Sequence, residues 1–208
     1  MMASVLSGIA AAGGGFADPV MDGQSVFRTA MMALAEPGII RPIEATALAA
    51  LQPPAPLLPA RAAFLLALAD FETPVWLEAM LDTPEVTDYL RFHAGCPLVA
   101  ERSAATFAVI ADTAALTGFE SFALGSLDYP DRSTTVVVQV DNLRAEPDWR
   151  LSGPGIQDSR LIGLRPDAAG LLAALAANRA LFPRGIDLVF TDGASLLGLP
   201  RSTIVTEA

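Results

Sequence analysis

Residues 182–205, FPRGIDLVFTDGASLLGLPRSTIV, constrain the fold of this chain most. Ile186, Leu188 and Phe190 fall on one face at period two, and Asp187, Val189 and Thr191 fall on the other. That alternation predicts a strand. Asp192-Gly193 can supply the positive φ angles of a two-residue hairpin turn, and residues 195–199 return as a second strand. Pro200 has no N–H to give a ladder, so the strand stops there or lies at an edge. Arg201-Ser202-Thr203 follows at once. Polar residues at a strand end can reach a ligand, or they can satisfy loose backbone groups; both readings stand at this point.

The run TVVVQV within residues 134–140 is the clearest strand of the chain. Its β-branched side chains predict a central position covered on both faces. A first helix is expected over 18–35. Phe27, Met31 and Leu34 form its packing face, with Gln24 and Arg28 on another. Glu36-Pro37-Gly38 ends it. A short strand is expected over 39–43, a proline-rich loop over 51–59 and a buried helix over 61–69. A strand at 75–77 precedes a helix that Thr83-Pro84-Glu85 opens and that runs toward Phe92. A strand at 106–111 leads to a short helix at 112–116. Strands at 149–152 and 159–164 and an alanine-leucine helix at 167–180 complete the set. Alternating helices and strands predict a single α/β domain over 16–208, with a mixed β-sheet flanked by helices. Residues 1–15 read as a flexible amino-terminal arm. Residues 1–17 carry no charge, lack the basic start of a secretory signal, and are too short and glycine-rich to span a bilayer.

Composition excludes whole classes of chemistry. All 13 basic residues are arginine, and the chain has no lysine. Without lysine there is no Schiff base to pyridoxal phosphate, no Walker A lysine and no lysine general base. A single histidine, His93, excludes multi-histidine metal sites. A single cysteine, Cys96, excludes an internal disulfide and a cysteine-based zinc site, and fits a reducing, cytoplasmic setting. No cofactor and no metal are therefore expected. The excess of 23 acidic residues, with a net charge of −10, argues against binding duplex nucleic acid. No uncharged apolar run approaches membrane length, so no membrane association is expected.

A few stretches retain chemical potential, each with two readings. Glycines in Ser152-Gly153-Pro154-Gly155-Ile156 let backbone N–H groups approach an anion, or they make a tight turn. His93 can act as a general base, or it can serve the end of its helix. Cys96 sits beside Pro97 in the following turn. Arg28, Arg91, Arg184 and Arg201 can grip a phosphate, or they can pair with the excess carboxylates. Asp18, Asp22, Asp70, Glu72, Asp131 and Asp187 are scattered, as caps and turn residues are. No catalytic set emerges. Arg28, Arg201, Thr203, Gly153 and Gly155 are the candidate interface or anion contacts. Between the two matched arginines, Arg28 is expected to be an internal strut and Arg201 an interface contact.

Several ordered stretches resemble one family. They are Pro19-Val-x-Asp22-x-Gln24-x-x-Phe27-Arg28, Glu36-Pro37-Gly38, Leu68-x-Asp70-x-x-Thr73-Pro74-Val75 and Leu90-Arg-Phe-His93. Thr106-Phe-Ala-Val109, Gly153-x-Gly155-Ile156, Phe182-Pro-x-Gly185-Ile-Asp187-Leu188 and Pro200-Arg201-x-Thr203 complete them. The set, spread over about residues 16–205, is similar to the PhnH family, the H subunit of the bacterial carbon–phosphorus lyase system. Ser202 stands where that family often has threonine, and Asp131 where it has glutamate. The resemblance implies a fold related to pyridoxal-phosphate-dependent transferases, without the cofactor. It implies a non-catalytic subunit of a core complex with G, I and J subunits that joins alkylphosphonate to the ribose of ATP with release of adenine. It also implies a homodimer when isolated. A stand-alone phosphonate- or nucleotide-binding module and an independent enzyme built on His93 or the arginines are the alternatives.

Overall fold

The computed structural model of the chain describes residues 14–116, 118–166, 168 and 170–208. At its centre lies β4 (Thr135–Gln139), whose Val136, Val137 and Val138 are fully buried. It runs parallel to β3 (Phe107–Ile110) on one side and to β7 (Asp187–Thr191) on the other. Beyond β3 lies β2 (Val75–Leu77), also parallel. Beyond β7, β8 (Ser195–Leu199) and then β1 (Arg41–Pro42) pair antiparallel. The result is a six-stranded mixed sheet of order β1-β8-β7-β4-β3-β2.

Period-two alternation sorts the sheet's side chains into two cores. Val75, Phe107, Val109, Val137, Val189 and Leu196 face one way. They meet α1 (Pro19–Ala35), α2 (Ala45–Ala49), α3 (Pro59–Leu68) and α4 (Pro84–His93). Ile110, Val136, Val138, Leu188, Phe190 and Leu197 face the other way. There they meet α5 (Leu171–Ala180) and a second, three-stranded antiparallel sheet, β6-β5-β9. Its strands are β5 (Asn142–Ser152), β6 (Arg160–Arg165) and β9 (Ile204–Glu207). Trp149 of β5 meets Phe190 edge-on, with ring centroids 6.3 Å apart. The expectation of one sheet flanked by helices lacked this second sheet. A strand of only four residues such as β9, with one half-buried apolar side chain and one exposed, leaves almost no periodic signal.

The helix starts follow from their capping residues. The Asp18 carboxylate accepts from the N–H groups of Val20 and Met21 ahead of α1. The Thr83 hydroxyl accepts from Val86 N ahead of α4. Both helices place proline at their first turn, where its missing N–H costs nothing. The buried stripe of α1 differs from the expected one. Val26, Ala30 and Ala33 are buried, while Phe27 is 48% exposed and Met31 37% exposed. Small residues win because α1 lies directly on β8: a methyl group on Gly198 would sit 2.4 Å from Ala33 O.

The hairpin turn also differs from its expected form. Asp192 pairs with Ser195, its N–H donating to Ser195 O at 3.2 Å, so the loop residues are Gly193 and Ala194. Neither has a positive φ. The Asp192 carboxylate instead accepts from Ala194 N and Ser195 N, and this side-chain turn replaces the glycine-dependent one. Residues 1–13 of the expected arm, and Asp167 at the expected start of the last helix, lie outside the described residues. Gly14 is held: its carbonyl accepts from Gln52 N and from the Tyr89 hydroxyl, both at 2.9 Å.

Gly198→Ala should cost about 1–3 kcal/mol, because the neighbouring atoms are helix backbone and cannot move alone. Gly193→Ala meets nothing within 4 Å and should change stability by less than about 0.5 kcal/mol. Urea unfolding of the two variants checks the contrast.

Candidate functional site

The strand-end arginine turns inward. Arg201 follows β8, and its side chain is only 12% exposed. Its backbone N–H and Nε both donate to Asp187 Oδ1, at 2.8 and 3.1 Å. One terminal nitrogen donates to Pro130 O at 2.8 Å, and the other reaches Ser133 Oγ and Asp187 Oδ2. A single guanidinium thus joins the start of β7, the end of β8 and the 130–133 loop. The expected interface contact is an internal strut, because five donors in a fixed fork match several acceptors that converge on one buried point.

The arginine expected to be a strut is free. Arg28 is exposed on α1 and makes no hydrogen bond or ion pair among the described residues. Arg201 is thus the strut, and Arg28 is not. Position in sequence could not separate them, since Ser133 and Pro130 lie 68 and 71 residues from Arg201 along the chain.

The glycine pair makes a tight turn packed against other segments. Gly153 (φ +128°) is packed on Ser202 and Thr203, with Ser202 O 3.1 Å from where its Cβ would lie. Gly155 (φ +80°) abuts the end of α1, with Ala35 O 2.2 Å from the corresponding point. Ile156 N donates to Gly153 O at 3.1 Å, closing a tight turn. On the side where a Cβ would lie, both glycines meet the chain's own backbone. Thr203 is buried, and its hydroxyl has no hydrogen-bond partner among the described residues.

Of the remaining chemical candidates, Arg91 and Arg184 make no side-chain hydrogen bond or ion pair with the described residues, whereas Cys96 and His93 are packed into the fold. Cys96 is buried, and burial pushes its thiol pKa up, away from the reactive thiolate. His93 packs against Tyr89 and Phe92, with ring centroids 4.6 and 4.9 Å away. Arg61, which sequence reasoning missed, is the most buried charge among the described residues. It donates to Ile110 O at 2.8 Å and Pro56 O at 3.0 Å. Desolvation lowers its pKa to about 10, opposed by the Glu78 carboxylate, so it stays charged at neutral pH. Asp18, Asp70 and Asp192 cap helices and turns. Among the described residues, no group of three or more histidine, cysteine or carboxylate side chains is placed to hold a metal ion.

What is left open is a surface. Val20, Gln24, Phe27, Arg28 and Met31 of α1, with Leu66 and Ala67 of α3, line a groove of about 600 Å³. Val20 is 64% exposed and Met21 63%. The face of Phe27 and Met31 is legible in the sequence as an apolar stripe; that it points outward is not. No helix among the described residues is long and apolar enough to cross a membrane.

Two predictions follow from these contacts. Arg201→Ala removes charge-assisted bonds and should cost about 1.5–3 kcal/mol. Arg28→Ala should change stability by less than about 0.5 kcal/mol, and thermal unfolding separates them. Tyr89 carries the second: burial pushes its phenol up to about 12, against about 10 unfolded. The folded state therefore keeps that proton longer, and its contribution to stability is lost as pH rises from about 10 to 12. In a Tyr129→Phe variant, phenolate absorbance should appear near pH 12 in the folded chain and near 10 in denaturant.

The family model for "Bacterial phosphonate metabolism protein (PhnH)" matches residues 14–206. The chain is 44% identical over 190 residues to the alpha-D-ribose 1-methylphosphonate 5-triphosphate synthase subunit PhnH of Rhizobium meliloti (strain 1021), covering 91% of this chain and 93% of that one. It is 36% identical over 80 residues to the putative C-P lyase subunit protein HtxG of Stutzerimonas stutzeri, covering 38% and 41%. Together with the ordered motifs from Pro19 to Thr203, these matches mean that the chain belongs to the PhnH family of bacterial phosphonate-metabolism proteins.

Proposed function

We propose that this chain is a non-catalytic subunit of a carbon–phosphorus lyase core complex. In that role it supports transfer of alkylphosphonate to the ribose of ATP, with release of adenine. The observation that carries this reading is the 44% identity, across nearly the whole of both chains, to a protein named as a subunit of ribose 1-methylphosphonate 5-triphosphate synthase. The internal use of Arg201 and Arg61 supports it, as does the burial of Cys96: the groups best suited to bind or attack a substrate are spent on the fold. The chain's part is then to hold partners rather than to transform a ligand. Its partners are the G, I and J subunits, its setting is the cytoplasm, and when isolated it pairs with itself.

The same reading takes the fold as a cofactor-less relative of pyridoxal-phosphate-dependent transferases. The parallel block β2-β3-β4-β7 with antiparallel β8 at its side supports this, and so does the absence of lysine. The alternative of a stand-alone phosphonate- or nucleotide-binding module rests on Gly153 and Gly155, and the tight packing around both favours the subunit reading over it.

Tagged co-expression with the G, I and J subunits tests the proposal. The chain should co-elute with them in one assembly, and omitting it should abolish adenine release from ATP and methylphosphonate. Recovery of this chain alone, with the others soluble, would overturn the proposal. Light scattering of the isolated chain at tens of micromolar, roughly where micromolar contacts persist, should give a dimer mass.

A further inference from the structure

We infer that the α1 groove seats a helix from another subunit of the same assembly, one with an apolar ridge and an aspartate or glutamate that meets Arg28. The inference rests on the proposed role as a complex subunit and adds the surface and the chemistry of its partner.

The groove is built as a helix seat. At 100° per residue, Val20, Phe27 and Met31 fall within a narrow stripe beside the buried one of Val26, Ala30 and Ala33. Gln24 lies in the same stripe, and Leu66 and Ala67 of α3 form the other wall. Spacings of seven and four match the ridge of a helix laid alongside. Three of the six methionines, Met21, Met31 and Met32, lie exposed on this one helix. Their unbranched side chains adapt to a docked surface. A stripe of this kind facing water is unfavourable unless something covers it.

Charge selects the occupant. Arg28 borders the stripe and has no partner among the described residues, in a chain whose net charge is −10. An occupant that buries the stripe desolvates that guanidinium, so it must bring a carboxylate. A second copy of this chain does not. Phe27 is the middle residue of the 17-residue α1. Two copies packed antiparallel on this stripe across a two-fold axis would bring Arg28 near its own counterpart. The one acid of α1, Asp22, lies on the far side of the helix, and its carboxylate accepts from Asp18 N. Self-pairing along α1 would therefore set like charges together, with no acid of the helix itself to pair them. Residues 1–13 carry no acid either. A partner helix with an acidic side chain satisfies both the stripe and the arginine, and pairing of the isolated chain with itself uses another face.

The test uses the full chain, co-expressed with the other subunits. With p-benzoylphenylalanine in place of Phe27, irradiation should cross-link the chain to a helical peptide of another subunit that contains an aspartate or glutamate. Arg28→Glu should leave the melting temperature unchanged and lower the affinity for the assembly by about ten- to a hundredfold. Reversing the charge of the cross-linked acid should restore it. A cross-link to residues 1–13, a cross-link to a second copy, or no cross-link at all would overturn the inference. So would an Arg28→Glu chain that assembles like the wild type. If the wild-type chain itself fails to assemble, the proposed function falls as well. If it assembles and both variants do so equally, only this surface falls.

Discussion

Burial of β4 on both faces is the constraint on which the rest of the structure depends. Three consecutive valines with no exposed surface require cover above and below, and parallel pairing on both sides removes any edge. One face is closed by four helices and the other by α5 and the antiparallel β6-β5-β9 sheet. The layers differ in how closely they approach. On the helical face Gly198 lets α1 lie on the strand backbone itself. On the other face large side chains, Trp149 against Phe190, span the gap between two sheets.

Within this frame the cations act mostly as fasteners. Arg61 ties β3 to the proline-rich loop, and Arg201 ties β7, β8 and the 130–133 loop. Arg160 reaches the carbonyl of Glu36 and so links β6 to the end of α1. Each joins separate elements by donating to backbone carbonyls. An arginine suits this work better than a lysine because its planar fork presents several donors without giving up its charge.

That economy bears on function. Arg61, Arg160 and Arg201 are engaged within the chain. The chain can still present a surface. The open stripe on α1 is such a surface, and it lies beside the stripe of Val26, Ala30 and Ala33 that fastens the helix to the sheet. A rigid exposed face suits assembly, because little ordering entropy is lost when a partner docks.

Much of the fold was legible in the chain itself. The hairpin at β7 and β8, the central strand β4, the caps at Asp18 and Thr83 and the stop at Pro200 all follow from residue type and local spacing, because backbone preferences act over a few residues. The family was legible from ordered motifs, and the poverty of nucleophiles from composition. Which stripe of α1 is buried was not. Val26, Ala30 and Ala33 are less hydrophobic than Phe27 and Met31, and they win only because β8, more than 150 residues later, brings Gly198 against them. The fates of Arg28 and Arg201 were hidden for the same reason. A guanidinium is a strut or a contact according to whether acceptors such as Asp187, Ser133 and Pro130 converge on it. Local order sets what each segment can become; which side chains are left facing outward is decided only when distant segments close on one another and fill the space between them.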